Sequence, residues 1–143
     1  MTQRPRHLPV VDVETAAFWD ACREHRLLLR HCNACGTTSF YPRPFCPACW
    51  SDDVGWVEAS GRATLYTWSV VHRNDLPPFD ERVPYVAAIV ELDEGPRMMT
   101  NVVDVAHDHL RIGMPLEVVF RDEGDDIVIP VFRPASDAPL PHG

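Results

Sequence analysis

The stretch HCNACGTTSFYPRPFCPACW, residues 31–50, contains four of the five cysteines in the chain. They form two Cys-x-x-Cys pairs, Cys32 with Cys35 and Cys46 with Cys49, separated by ten residues. This spacing is typical of a tetrahedral site with four thiolate ligands, in which each pair wraps a tight knuckle around one metal ion. The stretch therefore predicts two knuckles on adjacent hairpins, which together make a metal ribbon.

The ligand set also indicates what the metal does. A catalytic zinc keeps one position open for water or substrate, whereas four cysteine ligands close the site, so we expect structural Zn²⁺. Iron is the rival because four thiolates bind iron as well. A dithiol redox pair is the weakest alternative, since neither pair starts an evident helix after a strand. Gly36 follows the first pair, where a knuckle needs a residue that tolerates positive φ.

The segments on either side of the cysteines have different periodicities. Residues 12–26 predict an amphipathic helix with Asp12 as its N-cap and an apolar face of Phe18, Trp19 and Cys22. We expect Cys22 to be a small buried hydrophobe rather than a fifth ligand. Residues 27–31 predict a strand that leads into the first knuckle.

After the second pair the apolar pattern has period two. It predicts strands at residues 54–60, 63–73, 85–92, 97–105, 116–120 and 127–132, with one or two helical turns within 106–113 that stop at Gly113. Five strands after Gly61 with this insert favour a five-stranded OB-type barrel, although the count alone leaves a sandwich or another small barrel open.

The predicted chain is thus mainly β with an N-terminal helix. We expect four parts: a helical segment at 1–26, a zinc ribbon at 27–60, an OB-fold at 61–134 and a flexible tail at 135–143.

Composition excludes several functions. The formal charge of −8 argues against a nucleic-acid partner, and all thirteen basic residues are Arg, so no Lys Schiff base can form. We find no Gly-x-Ser-x-Gly elbow, no Gly-rich phosphate loop and no apolar run long enough to span a membrane. The N-terminus lacks a signal-peptide pattern, so we expect a cytoplasmic protein without a membrane partner.

Two surfaces are candidates for ligand or partner contacts. The arm at 40–45 offers Phe40, Tyr41 and Arg43, which could stack on an adenine, meet a phosphate or press into a partner. The alternative is that its aromatic residues shield the thiolates. The second candidate is His72 with Arg73, which precede a long proline-rich loop.

The chain resembles the acyl-CoA-associated family called domain of unknown function thirty-five, a rubredoxin-like zinc ribbon fused to an OB-fold. The resemblance runs from about Phe18 to Pro134. It is carried by these motifs in order: FW, LLLRHCNACG, FYPRPFCPAC, WVEASGRATLYTWSVVHR, VELDEG, LRIGMPLEVVF and VFRP.

The resemblance implies an accessory subunit of a thiolase-superfamily complex that makes or breaks carbon–carbon bonds in acyl-CoA. The setting we favour is the thiolase-like aldolase that cleaves a steroid side chain, with a thiolase or acyl-transfer complex and a free-standing acyl-CoA-binding module as alternatives. It also implies metal ligation by Cys32, Cys35, Cys46 and Cys49, and no catalytic residue in this chain. Some members of the family are fused to a hot-dog-fold hydratase, so the resemblance also implies such a hydratase as an alternative partner.

Overall fold

A computed structural model describes residues 13, 15–40, 42–76, 79–124 and 126–135. Their regular structure consists of one helix, eight strands and two short 3-10 turns. In chain order the main elements are α1 Ala16–Arg23, β1 Leu28–Cys32, β2 Thr38–Ser39, β3 Val54–Glu58, β4 Arg62–Val71, β5 Tyr85–Leu92, β6 Arg97–Val102, β7 Pro115–Gly124 and β8 Ile127–Pro134. No helix among the described residues is long and apolar enough to cross a membrane.

The first sheet has three strands in the order β2-β1-β3. Its centre, β1, pairs antiparallel with β3 from Leu28 opposite Glu58 to Cys32 opposite Val54. The two-residue strand β2 pairs with β1 through Arg30 opposite Ser39. The sheet thus places Cys32, at the end of β1, beside the segment that follows Cys49.

The other five strands close a barrel in the order β4-β5-β6-β8-β7. Counted within the barrel this is 1-2-3-5-4, and a 3-10 turn at His107–His109 lies between the third and fourth strands. The predicted OB-type fold is confirmed. The sandwich is excluded because β7 also pairs with β4 and closes the sheet.

The N-terminal helix is shorter than predicted. It begins at Ala16 after Thr15, whereas the predicted cap, Asp12, lies outside the described residues. It ends in a Schellman arrangement: His25 has a φ of 60°, and the N–H of Arg26 donates to the carbonyl of Ala21 at 2.8 Å. A left-handed residue at this position stops the helix before 26.

One apolar core joins the helix, the ribbon and the barrel. The predicted face of α1 is buried against β1 of the ribbon and β8 of the barrel. The buried members of this core include Phe18, Trp19, Cys22, Leu27, Leu29, Leu65, Val90, Met98, Leu116 and Phe132. The ribbon is therefore anchored at one end by apolar packing, while its cysteine end extends beyond this core.

Gly61 leads the chain from the ribbon into the barrel. Its φ is 84°, and a Cβ atom there would approach Cγ1 of Val118 to 2.7 Å. Its carbonyl accepts a hydrogen bond from the N–H of Val118 at 2.8 Å. Glycine is required here both by the backbone angle and by the close approach of β7.

Several predicted bounds differ from the observed ones. Strand β6 ends at Val102 rather than at 105, because Asp104 turns the chain with a φ of 59°. Strand β7 continues to Gly124, through residues expected to form a break. The strand β2 was not predicted, since two residues carry no periodicity. The predicted tail beyond Ala135 lies outside the described residues, and the domain boundaries remain predictions.

Candidate functional site

The four cysteines of the two pairs converge on one point. Their Sγ atoms all lie within 4.8 Å of one another. The two closest contacts, Cys32 to Cys49 and Cys35 to Cys46, are both 3.6 Å. Zinc–sulfur bonds of about 2.3 Å in a tetrahedron place sulfurs roughly 3.8 Å apart. The arrangement fits a single tetrahedral metal ion, and iron would fit the same geometry.

The first knuckle is built by backbone hydrogen bonds around Cys32. Its N–H donates to the carbonyl of Thr37 at 2.9 Å, and its carbonyl accepts from the N–H of Gly36 at 2.9 Å. The N–H of Cys35 points at the Cys32 sulfur at 3.4 Å. Gly36 has a φ of 79°, which confirms the prediction of a positive φ there.

The second knuckle repeats this frame fourteen residues later. The N–H of Cys46 donates to the carbonyl of Ser51, and its carbonyl accepts from the N–H of Trp50, both at 2.8 Å. The N–H of Ala48 points at the Cys46 sulfur at 3.4 Å. The residue at the left-handed position is Trp50, with a φ of 66°. An L-residue with a large side chain rarely adopts this conformation.

Each knuckle buries its first cysteine and exposes its second. Cys32 and Cys46 are enclosed, whereas Cys35 and Cys49 lie at the surface. A link between the knuckles comes from Asn33, whose N–H donates to the carbonyl of Asp53 at 2.9 Å and whose side-chain amide donates to the Asp53 carboxylate at 3.1 Å. These two hydrogen bonds tie the first knuckle to the segment that follows the second knuckle.

The thiols of the cluster influence one another. Hydrogen bonds from the side chain and backbone of Thr37 lower the pKa of Cys35 to about 6. A backbone hydrogen bond at Ser51 lowers the pKa of Cys49, but the neighbouring thiols, with Cys32 first, and burial outweigh it and raise that pKa to about 12. Opposite shifts are expected of groups that share protons. A metal cation would displace those protons, because the thiolate is the form that binds metal.

The fifth cysteine, Cys22, is in a different environment. It is fully buried on the apolar face of α1. Burial raises the pKa of its thiol to about 12. A thiol that stays protonated at neutral pH is a poor nucleophile. The prediction of a small buried hydrophobe is confirmed.

The arm at 40–45 divides into two parts. Phe40 packs against Phe18 of the core, with ring centroids 5.7 Å apart. Phe45 stacks on Trp50 beside the second knuckle, with centroids 5.1 Å apart and an interplanar angle of 10°. Arg43 is exposed and has no ion pair or side-chain hydrogen bond to any residue that the structure describes. Tyr41 lies outside the described residues.

The second predicted contact surface lies at the end of β4. His72 and Arg73 are both exposed, and the Arg73 guanidinium lies 3.4 Å from the carboxylate of Asp75. Their role in ligand or partner contacts stays a prediction, as do those of Phe40 and Arg43.

An apolar groove opens between α1 and the barrel. Phe18, Trp19 and Phe40 form one wall, and residues 97–101 of β6 with 129–131 of β8 form the other. Its volume is about 530 Å³, within the range of small-molecule pockets. Sequence reasoning missed this groove, because it forms only where a barrel seam meets the helix.

Sequence reasoning also missed Thr37, Trp50 and Ser51 as parts of the metal site. A signal was present: shifting the chain by fourteen residues aligns Cys32, Gly36 and Thr37 with Cys46, Trp50 and Ser51. The alignment would have placed a left-handed residue at position 50. It was hidden because tryptophan does not mark such a position.

Comparison with known proteins identifies both parts of the chain. Residues 19–55 match the family model for the ChsH2 rubredoxin-like zinc ribbon domain. Residues 56–121 match the model for the ChsH2 C-terminal OB-fold domain. The first model contains all four clustered cysteines and the second contains most of the barrel.

Three individual relatives support this assignment. A DUF35 domain-containing scaffold protein of Methanocaldococcus jannaschii is 39% identical over 78% of this chain and 82% of its own length. A probable enoyl-CoA hydratase alpha subunit of Thermomonospora curvata is 40% identical over 92% of this chain. The 3-oxo-4,17-pregnadiene-20-carboxyl-CoA hydratase alpha subunit of Mycobacterium tuberculosis is 34% identical over 78% of it. The match spans only 40% and 35% of the length of these two hydratase subunits.

A solved structure entitled Ltp2-ChsH2(DUF35) aldolase contains a similar chain. It is 38% identical, with a TM-score of 0.79 over 89% of this chain and 98% of the solved one. The two family models, together with the DUF35 scaffold protein, show that the chain belongs to the DUF35 family, with a ChsH2-type rubredoxin-like zinc ribbon followed by an OB-fold.

Proposed function

We propose that this chain is the non-catalytic DUF35 subunit of a thiolase-superfamily enzyme that acts on carbon–carbon bonds in acyl-CoA. The reaction we favour for the complex is retro-aldol cleavage of a steroid side-chain CoA thioester, with the acyl-CoA bound at or near the subunit interface. A thiolase or an acyl-transfer enzyme is the alternative partner within the same superfamily.

The observation that carries this proposal is the match to the Ltp2-ChsH2(DUF35) aldolase. The match covers 98% of the solved chain at 38% identity, so this chain corresponds to the whole of that chain rather than to a fragment of it. The hydratase alpha subunits are matched over less than half of their length. A hydratase of the hot-dog fold is therefore the second class of partner to test.

The chemistry of the cysteine site supports a structural role. Four thiolates complete a tetrahedral shell and leave no open position for water or substrate. The remaining thiol, Cys22, is buried and protonated at neutral pH. We propose that Cys32, Cys35, Cys46 and Cys49 hold Zn²⁺, which fixes the two knuckles without taking part in the reaction. Metal analysis of the purified chain tests this choice, and a red protein containing iron would contradict it.

Co-purification tests the partner. The tagged chain is isolated from its native host grown on a sterol, and the bound proteins are identified by mass spectrometry. We expect a thiolase-superfamily protein in near-equal amount, and aldol cleavage by the pair but by neither protein alone. Cleavage by the isolated chain, or no thiolase-like partner under any growth condition, would contradict the proposal.

Replacing Arg43 tests the contact surface. The side chain is exposed and has no partner among the described residues, so Arg43→Ala should leave the melting temperature of the isolated chain unchanged within about 2 °C. We expect weaker assembly or slower acyl-CoA turnover in the complex. Arg111→Ala, at another exposed arginine, is the matched control and should have no effect. Equal activity of the Arg43→Ala variant and the unmodified protein would remove Arg43 from the site.

A free-standing acyl-CoA-binding module is the second candidate function. The observation in its favour is the apolar groove of about 530 Å³ beside α1. Titration calorimetry of the isolated chain with CoA and acyl-CoA separates the two functions. Tight binding without a partner would favour the module, whereas binding only in the complex would favour the subunit.

A further inference from the structure

The barrel is closed by a short seam between β6 and β8. In the part of the chain that the structure describes, these parallel strands are paired only through Val102 opposite Phe132. A parallel ladder that continued along β6 would need the N–H of residue 130 to donate to the carbonyl of Met99. Residue 130 is proline, which has no N–H, so the ladder stops there.

Among the residues that the structure describes, the open part of the seam leaves one side of β6 without a pairing strand. In an antiparallel pair, hydrogen-bonded residues alternate with residues whose backbone groups point away from the partner. The N–H of Leu92 donates to the carbonyl of Pro96 at 2.8 Å, so Met98 and Thr100 also bond β5. The N–H and C=O groups of Arg97 and Met99 therefore point toward the gap.

The two edges of the gap differ in how they are protected. On β8, Pro130 offers no donor, and its carbonyl accepts a hydrogen bond from the Thr100 hydroxyl at 3.3 Å. On β6, Met99 is an apolar residue that is 79% exposed. Edge strands in soluble proteins are usually protected by charge, proline or a covering element. Unpaired peptide groups beside an exposed apolar residue fit a further strand.

The groove beside this edge supplies the other contacts. Phe18, Trp19 and Phe40 face the unpaired part of β6 across it. A strand laid along β6 would place its backbone against Arg97 and Met99 and alternate side chains toward the groove. There Phe40 is half-buried, whereas Phe18 and Trp19 are almost fully buried. A peptide backbone is the ligand whose donors and acceptors match the alternating groups of an edge.

We propose that an extended segment of the thiolase-like partner adds to the barrel as a strand beside β6, in the groove between β6 and α1. This inference rests on the proposed function, because it specifies how that partner docks. The same groove cannot then hold an acyl chain in the complex.

Amide hydrogen exchange measured by NMR tests the strand directly. In the isolated chain the amides of Met98 and Thr100 should exchange slowly, because they bond β5, and the amide of Met99 should exchange fast. In the complex with the thiolase-like protein, exchange at Met99 should slow by about tenfold or more, while Met98 and Thr100 stay slow. Unchanged fast exchange at Met99 in the complex would overturn the inference.

A pair of substitutions at Met99 separates backbone from side chain. Met99→Pro removes the N–H that faces the gap, and proline is tolerated at an edge facing solvent. It should weaken the complex by about tenfold or more, whereas Met99→Ala keeps the N–H and should weaken it less. Metal content and melting temperature of the isolated variants show whether they fold. Should Met99→Pro not fold, the exchange measurement on the unmodified complex decides.

The outcomes distinguish the two proposals. Absence of any complex between the unmodified chain and the thiolase-like protein would refute the proposed function and this inference with it. A complex that forms equally well with Met99→Pro would refute only the added strand. If Met99→Pro lost acyl-CoA binding in the isolated chain but still formed the complex normally, the groove would hold the acyl group instead.

Discussion

The two knuckles of the metal site share one backbone design but fill it with different residues. In both, the first cysteine exchanges hydrogen bonds with the residues four and five positions later, at 2.8 to 2.9 Å. The left-handed position is Gly36 in the first knuckle and Trp50 in the second, with φ values of 79° and 66°. The comparison teaches that binding one metal ion requires the same backbone conformation in both knuckles. The side chain at the left-handed position can differ, so it can make contacts of its own.

That other purpose is visible in the surroundings of the two residues. A Cβ atom on Gly36 would meet nothing within 4 Å, so glycine is used there for its backbone freedom alone. Trp50 is 74% exposed and stacks on Phe45. A left-handed L-residue is strained by about 1 to 2 kcal/mol, and an aromatic pair contributes about 0.5 to 1.5 kcal/mol. The stack offsets much of the strain.

The largest effect is expected from removing a metal ligand, which breaks both knuckles at once. Cys46→Ser should abolish metal binding and unfold the cysteine end of the ribbon, because metal binding and folding are coupled at four-thiolate sites. Cys22→Ala is the matched control, since Cys22 is a buried cysteine outside the cluster, and it should keep the metal. Metal analysis and circular dichroism measure both variants. Retention of metal and of the melting temperature by Cys46→Ser would refute a closed four-cysteine site.

The fold was predictable where the chain has a clear period. Strand β5 was predicted at its observed bounds, because Val86, Ala88, Val90 and Leu92 alternate with more exposed positions. The predicted ends of elements were wrong where a single residue with positive φ ends the element, as at His25 after the helix and Asp104 after β6. Histidine and aspartate adopt the left-handed conformation more often than most residues, but too rarely for the residue type to identify it in advance. The two-residue strand β2 exists only because β1 is beside it.

The candidate site was predictable in its ligand set but not in its surroundings. The cysteine spacing predicts the four sulfur ligands without a structure, and glycine at position 36 predicts the left-handed residue of the first knuckle. The arm at 40–45 could not be assigned from sequence, and in the structure Phe40 contacts Phe18 while Phe45 contacts Trp50. The groove lies beside β6 and β8, which pair at one position among the described residues, and strand pairing cannot be predicted from the sequence of either strand alone.

A smaller effect is expected from adding a side chain to the first knuckle. Gly36→Ala should lower the free energy of unfolding by about 1 kcal/mol, because the left-handed strain of about 1 to 2 kcal/mol is partly offset by a less flexible unfolded chain. The space around Gly36 is open, so no clash adds to this value. Gly36→Asn should lose less, since asparagine tolerates this region. Thermal unfolding of the metal-loaded proteins measures both, and a loss above about 3 kcal/mol would indicate a contact that the structure does not show.

The smallest effect is expected from giving the second knuckle the residue of the first. Trp50→Gly removes the left-handed strain, of about 1 to 2 kcal/mol, but also removes the stack on Phe45 and makes the unfolded chain more flexible. These contributions nearly cancel, so the free energy of unfolding should change by less than about 1 kcal/mol, with full metal content. Thermal unfolding of Trp50→Gly and Gly36→Ala under identical metal loading measures the two changes in the free energy of unfolding. A loss above about 2 kcal/mol would mean that Trp50 and Phe45 shield the thiolates, whereas a neutral result leaves this exposed aromatic pair available for contact with the partner.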